Sequence, residues 1–373
     1  MTTHKLYKVK IKKRFLLSKE GSCKKTYHLV LDIKDKNINF KPGDCAAIKP
    51  KNSSFLVTSC IKAMKADFPE KTKIYYKKED KYYTLEEILK NVLNISKVPS
   101  SLLKFLKENL TDIDKTKKLE DILKDPDKLS IYLKENDLLD VLEEFFSSNI
   151  TPQEICSFLL PLLPRLYSIS SSKSYIKDEI HLIISYFTYM TANKKRYGVT
   201  TNYLCCEANI NSEIDLYIQP TSHFHLFEEF SNIIMIATGS GIAPFISFLQ
   251  ERFFKKAKGK NWLFFGECNK KFDFYYEDFL KKLEKENFLK LTTAFSRDQE
   301  KKIYVQHRLL ENFEKVFDLI EKGAYIYVCG AQTMSKSVDN ALLEIFRKKM
   351  SEIDAKKYLT SLISKKIYLK DVY

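Results

Sequence analysis

The sequence predicts an α+β domain joined to an α/β domain: an antiparallel β-barrel interrupted by a helical subdomain, then a parallel-sheet domain. Three observations predict it. Early segments alternate apolar and polar residues with a period of two. A lysine- and glutamate-rich stretch between them carries apolar residues at helical spacing. The last third alternates nearly continuous apolar runs with helical segments, the pattern of a sheet covered on both faces. At 373 residues the chain also exceeds the usual size of a single core.

The elements follow in order. In residues 25–33 (KTYHLVLDI), Tyr27, Leu29, Leu31 and Ile33 occupy one face of a strand. The turn Lys41-Pro42-Gly43-Asp44 leads into a second short strand, CAAIKP. From about Cys60 the spacing becomes helical, over residues 85–93, 101–109 and 137–146, and this block ends around 152–164. Strands return at 165–170 and 181–190. The boundaries are therefore 1–60 and 156–230 for the barrel domain, 61–155 for the inserted helical subdomain, and 231–373 for the α/β domain. In the last, β runs at 233–237, 262–266, 288–294 and 325–329 alternate with helices at 242–254, 277–283 and 338–349. Such sheets bind ligands at the carboxyl ends of their strands.

Composition narrows the class. Apolar residues make up 44% and charged residues 30%, as in ordinary soluble domains. No apolar run approaches the roughly 18 residues of a membrane span, and the N-terminus has no signal-peptide core; a cytoplasmic address is expected. Eight cysteines form no CxxC pair, and the only local histidine cluster is His223 and His225, so no metal is expected. The net charge of +15 is lysine spread along the chain. It reads as a solvated surface, or as steering toward an acidic protein partner. Nucleic acid is not expected, because no recognition motif accompanies the charge.

Three segments carry chemistry. Ile236-Ala237-Thr238-Gly239-Ser240-Gly241-Ile242-Ala243-Pro244 is a glycine turn between a strand and a helix, where free N–H groups suit a diphosphate. Arg297 and Lys302, with Ser296 and Tyr304 nearby, follow a parallel strand where an adenosine would lie; a cationic pair there suits a 2′-phosphate. In 165–172 (RLYSISSS), neither strand face makes a good core, since one would bury Arg165 and the other two hydroxyls. That mismatch marks a ligand-facing strand.

The ordered set LPRLYSISSS (163–172), GVTTNYL (198–204), TGSGIAPFISFLQER (238–252), LFFGECN (263–269), FYYEDFL (274–280), AFSRDQ (294–299), KIYVQH (302–307), YVCG (327–330) and terminal DVY resembles the FAD/NADPH half of the diflavin reductases. These belong to the ferredoxin–NADP reductase superfamily and include the sulfite reductase flavoprotein. The helical insert is similar to their connecting subdomain. The resemblance implies an NADPH-dependent FAD flavoprotein that takes hydride from NADPH and passes electrons to a separate carrier. It implies Arg165 on the FAD pyrophosphate, Tyr167 stacked on the isoalloxazine, Ser168 near flavin N5, and Gly198, Val199 and Thr201 on the FAD diphosphate. Thr238, Gly239, Ser240 and Gly241 would hold the NADP diphosphate; Ser296, Arg297, Lys302, Tyr304 and Gln306 would line the 2′-phosphate pocket. Cys329 and Asp371 would stand beside the nicotinamide, with Tyr373 on the other flavin face.

Three departures from the family pattern stand out. Tyr373 takes a position that is normally Trp, Ala237-Thr238-Gly239 replaces Gly-Pro-Gly, and the expectation is of no FMN domain ahead of the barrel. The expected partner is a flavodoxin-like or haem protein, acidic in character. Two alternatives are the flavoprotein subunit of an NADPH sulfite reductase, and a non-catalytic module that binds nucleotide or a partner.

Overall fold

A computed structural model of the chain describes residues 5–66, 68–191, 194–227 and 231–373. In chain order its strands begin with β1 (Tyr7–Leu16), β2 (Lys25–Asp32), β3 (Cys45–Ile48), β4 (Lys73–Tyr76) and β5 (Lys81–Thr84). Next come β6 (Arg165–Ser168), β7 (Glu179–Tyr186), β8 (Thr188–Thr191), β9 (Lys194–Tyr197) and β10 (Glu213–Gln219). The last five are β11 (Ile233–Thr238), β12 (Asn261–Glu267), β13 (Lys290–Phe295), β14 (Tyr325–Gly330) and β15 (Tyr368–Val372). Contacts divide the chain into two compact units. One comprises Met1–Ala47, Leu166–Tyr186 and Asn209–Tyr373; the other comprises Ile48–Arg165 and Phe187–Ala208.

The first unit contains most of a six-stranded sheet in the order β6-β3-β10-β1-β2-β7. β1 runs antiparallel to β10 and β2, and β2 antiparallel to β7. The expected inward face of β2 is only half the picture. Leu29 and Leu31 are buried, but so are His28 and Val30, because Phe15, His181 and Tyr276 cover the His28 side with stacked and edge-on rings.

The same unit holds a five-stranded sheet in the order β13-β12-β11-β14-β15, parallel throughout. β11 and β12 are apolar and almost wholly buried, as a doubly covered sheet requires. Chain order reverses on either side of β11, which places a crevice at the carboxyl ends of β11 and β14. β15 escapes the sequence reading because YLKDV is short and carries two charges. Its Tyr368 and Leu369 are buried against the sheet, while Lys370 is held by Asp339 at 2.6 and 2.7 Å.

The second unit is largely helical: Ser54–Ala63, Leu85–Asn91, Ser100–Asn109, Ile113–Lys124, Pro126–Glu135, Leu138–Phe145 and Pro152–Phe158. Their apolar stripes meet in a core that includes Leu85, Ile88, Leu102, Leu106, Val141 and Phe145. Capping boxes at Thr84/Glu87, Asp137/Asp140 and Thr151/Glu154 start three of these helices. A hairpin, β4 with β5, interrupts the helical stretch; its Ile, Tyr and Thr residues favour strand, and Ile74 and Tyr76 on one face of β4 are buried. β8 and β9 pair with each other and belong to this unit. Among the described residues no helix is long and apolar enough to cross a membrane.

Candidate active site

The glycine turn lies at the end of β11. Gly239–Ile242 forms one 3₁₀ turn, and the helix Ala243–Phe254 follows, with Pro244 in its first turn, where a missing N–H costs nothing. Gly239 has φ +57°. A Cβ on Gly241 would lie 2.2 Å from the carbonyl oxygen of Cys329, so the turn packs directly on the end of β14. Backbone N–H groups at this helix start, with little side-chain bulk around them, have the chemistry that suits an anion.

Beside it, the sheets bring together the residues read as catalytic. Cys329 and Asp371 are register partners on β14 and β15. Ser168 Oγ donates to Asp371 Oδ2 at 3.1 Å, and Cys45 Sγ lies 3.9 Å from Ser168 Oγ. Burial pushes the Cys329 thiol well above its ordinary pKa, and the Asp371 carboxylate adds to the shift. Cys45 is pushed up to about 11 by burial first and Asp371 second. Both thiols are therefore protonated at neutral pH, and neither is an activated nucleophile. Tyr373 is anchored by its own N–H to Gly330 O and by Gln332 N–H to its carbonyl, both at 3.2 Å. Its hydroxyl meets Ser240 Oγ at 2.7 Å.

At the ends of β12 and β13, Ser296 N–H donates to Glu267 O at 2.9 Å and Arg297 N–H to Cys268 O at 2.8 Å. Arg297 Nη1 reaches Cys23 Sγ at 3.1 Å. Tyr304 precedes the helix Val305–Glu311, which carries Gln306, and Lys302 is exposed ahead of both. Among the described residues, Lys302 and Gln306 make no hydrogen bond to Ser296 or Arg297.

Sequence reasoning missed Lys24 and Glu267. Lys24 Nζ holds both Glu267 carboxylate oxygens at 3.0 Å, and Cys268 N–H donates to Glu267 Oε2 at 2.6 Å. Burial alone would lower the Lys24 pKa, but the Glu267 charge raises it above the ordinary lysine value. A Cβ on Gly239 would lie 3.2 Å from Glu267 Oε1, so this ion pair borders the glycine turn. Glu267, Cys268 and Asp273 also form a group of potential metal ligands, but the cation that Glu267 holds is Lys24. No local pattern could have found the pair, since 243 positions separate its members. Cys45 was missed for the same reason.

Of the remaining predicted residues, Tyr167 lies on β6 in the first unit, and Arg165, Gly198, Val199 and Thr201 belong to the second. Arg165 is exposed at the start of β6. Gly198 N–H donates to Phe187 O at 2.9 Å, and Thr201 Oγ1 donates to Gly198 O at 3.0 Å. These bonds set up the short helix Val199–Asn202, which runs on into a π turn over Tyr203–Glu207. A cavity of about 520 Å³ opens beside it, lined among others by Asn52, Phe55, Asn136, Tyr189, Val199 and Asn202. Asn52 donates through Nδ2 to Leu89 O and Leu93 O, both at 2.6 Å, while its buried Oδ1 has no hydrogen-bond partner among the described residues. Three aromatic residues, Phe55, Tyr189 and Tyr197, share the lining with mostly polar and charged side chains, a surface that suits a flat, hydrogen-bonding ligand.

A glycine turn on a parallel sheet, beside a Ser–Asp–Cys group contributed by both sheets, is the arrangement of a two-nucleotide flavoprotein. The chain belongs to the FAD binding domain family, whose model matches residues 1–203, and an oxidoreductase NAD-binding domain matches residues 235–340. It corresponds to the FAD/NADPH half of a diflavin reductase. Among its curated relatives is the sulfite reductase [NADPH] flavoprotein alpha-component of Buchnera aphidicola subsp. Schizaphis graminum. That protein is 36% identical over 358 residues, covering 95% of this chain and 58% of the relative. The Bacillus subtilis protein of the same name is 34% identical over 380 residues, covering 98% and 61%. NADPH oxidoreductase A of Dictyostelium discoideum is 34% identical over 362 residues, covering 93% and 57%. The chain thus spans less than two thirds of the length of these relatives.

Proposed function

We propose that this chain is an NADPH-dependent FAD reductase that passes electrons to a separate acceptor protein. The observation that carries the reading is the contact of Ser168 with Asp371, beside Cys329 and next to the glycine turn. A module that only binds nucleotide has no use for it. When bound, NADPH supplies a hydride and FAD accepts it and hands the electrons on.

The protein's part is to orient and to stabilise charge. Thr238, Gly239, Ser240 and Gly241 hold the diphosphate through the turn backbone and the start of the 243–254 helix. Ser296, Arg297, Lys302, Tyr304 and Gln306 take the 2′-phosphate. Asp371, held in place by the Ser168 hydroxyl, presents a carboxylate where the nicotinamide becomes cationic. Cys329, small and protonated, lets the ring approach. Tyr167, Ser168 and Tyr373 address the flavin ring. In the second unit, Arg165, Gly198, Val199 and Thr201 take the FAD diphosphate, and the cavity beside Val199 takes its adenosine end. The antiparallel sheet closes into a barrel, supported by the bridge between Ile169 and Leu182. The barrel domain covers 1–60 and 156–230, the insert 61–155, and the NADP domain 231–373. The site of action is the cytoplasm.

The acceptor is an acidic flavodoxin-like or haem protein, steered by the +15 net charge. A second reading, the flavoprotein subunit of an NADPH sulfite reductase, is favoured by the names of the relatives. Purified protein should be yellow, release FAD, bleach anaerobically with NADPH and regain colour with ferricyanide. A colourless protein without FAD affinity removes the redox reading. Capture of a haem-containing sulfite reductase subunit, rather than a flavodoxin-like protein, selects the second.

A further inference from the structure

Tyr373 as a whole residue is 63% exposed, and hydrogen bonds at its backbone and at its hydroxyl fix its place. Its backbone is tied at both polar atoms to the end of β14 and the residues after it. Its hydroxyl is tied to Ser240, inside the glycine turn. Among the described residues, a side chain of that turn is therefore the hydrogen-bond partner of the Tyr373 phenol. Chemistry sets the sense of that bond once a phosphate is present. A serine hydroxyl has one proton to give and can accept from two directions, whereas a phosphate oxygen only accepts. The phosphate takes the Ser240 proton, and the phenol must then donate to Ser240 Oγ. The result is a chain from Tyr373 O–H through Ser240 O–H to phosphate, in which each bond polarises the next.

We propose that Ser240 is a positioning residue for the C-terminal ring, coupling occupation of the diphosphate cradle to the placement of the Tyr373 phenol. The proposal rests on the reading of 238–241 as the NADP diphosphate turn. By linkage the coupling is reciprocal: a diphosphate tightens the hold on the phenol, and the phenol tightens the hold on the diphosphate. Phenylalanine at 373 keeps the ring and removes only the bond.

The test uses 2′-phospho-ADP-ribose, which has the diphosphate and 2′-phosphate but no nicotinamide, so ring displacement plays no part. Its affinity is measured calorimetrically on the FAD-loaded protein. Tyr373→Phe should weaken binding about two- to tenfold, the worth of one net hydrogen bond. The same change should have no effect in a Ser240→Ala background and its full effect in a Ser240→Thr background, where the hydroxyl is kept. Unchanged affinity of Tyr373→Phe, or an equal loss with alanine at 240, overturns the coupling and leaves the nucleotide reading standing. Failure of the unaltered protein to bind the probe overturns both.

Discussion

At the scale of single residues, Arg297 and Gly241 make opposite demands. Arg297 is a charge whose guanidinium, among the described residues, has a thiol as its side-chain partner. Reversing it with Arg297→Glu should raise the Michaelis constant for NADPH by an order of magnitude or more and leave that for NADH nearly unchanged. Steady-state kinetics with both donors decides it, and equal losses would remove the 2′-phosphate assignment. Gly241 is a matter of space. Alanine there puts a methyl 2.2 Å from a backbone oxygen that cannot rotate away. Overpacking of this kind costs about 1–3 kcal/mol. A urea midpoint shift together with weakened NADP binding is the expected outcome; unchanged affinity would mean the turn is not the cradle. Residues inside contiguous motifs, such as Ser168 and Gly241, were legible because their neighbours in sequence carry the signal. Lys24, Glu267 and Cys45 were not, because each gains meaning only from a partner far along the chain.

Among elements, the hairpin of β8 and β9 is tied to the helical core by charge. Arg196 Nη1 bonds Asp137 Oδ2 at 2.6 Å and pairs with Asp140 through Nη2, while Lys194 pairs with Asp140 as well. The two aspartates are buried, so removing the guanidinium strands negative charge in a poor solvent. Arg196→Ala should lower stability by roughly 3 kcal/mol, seen as an earlier denaturant midpoint. Arg196→Lys should recover only part of it, lacking the two-pronged geometry. A loss below about 1 kcal/mol, the range of exposed pairs, would show the cluster to be solvated. The long parallel strands and the amphipathic helices were legible, because apolar runs and 3.6-residue spacing are properties of the elements themselves. β15 was not, since its place depends on β14 offering an edge; neither was the β4–β5 hairpin, too short to impose a period.

For the whole molecule, acid stability follows from two imidazoles, His28 buried and His181 half-buried. Burial lowers the His28 pKa from 6.5 to about 3, with His181 adding to the effect, and burial lowers that of His181 as well. Their hydrogen bonds, His28 Nδ1 to Tyr276 Oη at 2.6 Å and His181 Nε2 to Glu179 Oε2 at 2.7 Å, stay within the first unit. A folded-state value below the unfolded one means the unfolded chain binds the extra proton. The His28 contribution is thus full above about pH 6.5 and declines as pH falls toward 3, by up to about 1.4 kcal/mol per pH unit, and His181 acts in the same direction. Chemical denaturation at pH 7.5 and 5.0 should show the decline, and His28→Phe should flatten it. An unaltered slope would mean that His28 stays charged in the fold.

The ion pair of Lys24 with Glu267 also has a consequence for synthesis. A ribosome adding about 5–20 residues per second emits Lys24 roughly 12–50 seconds before Glu267 exists to receive it. Through that interval Lys24 lacks the carboxylate it pairs with in the folded unit. Long-range closures of this sort slow folding. Yield of active protein should therefore respond more to translation speed and early chaperone supply than to conditions applied after the chain is released.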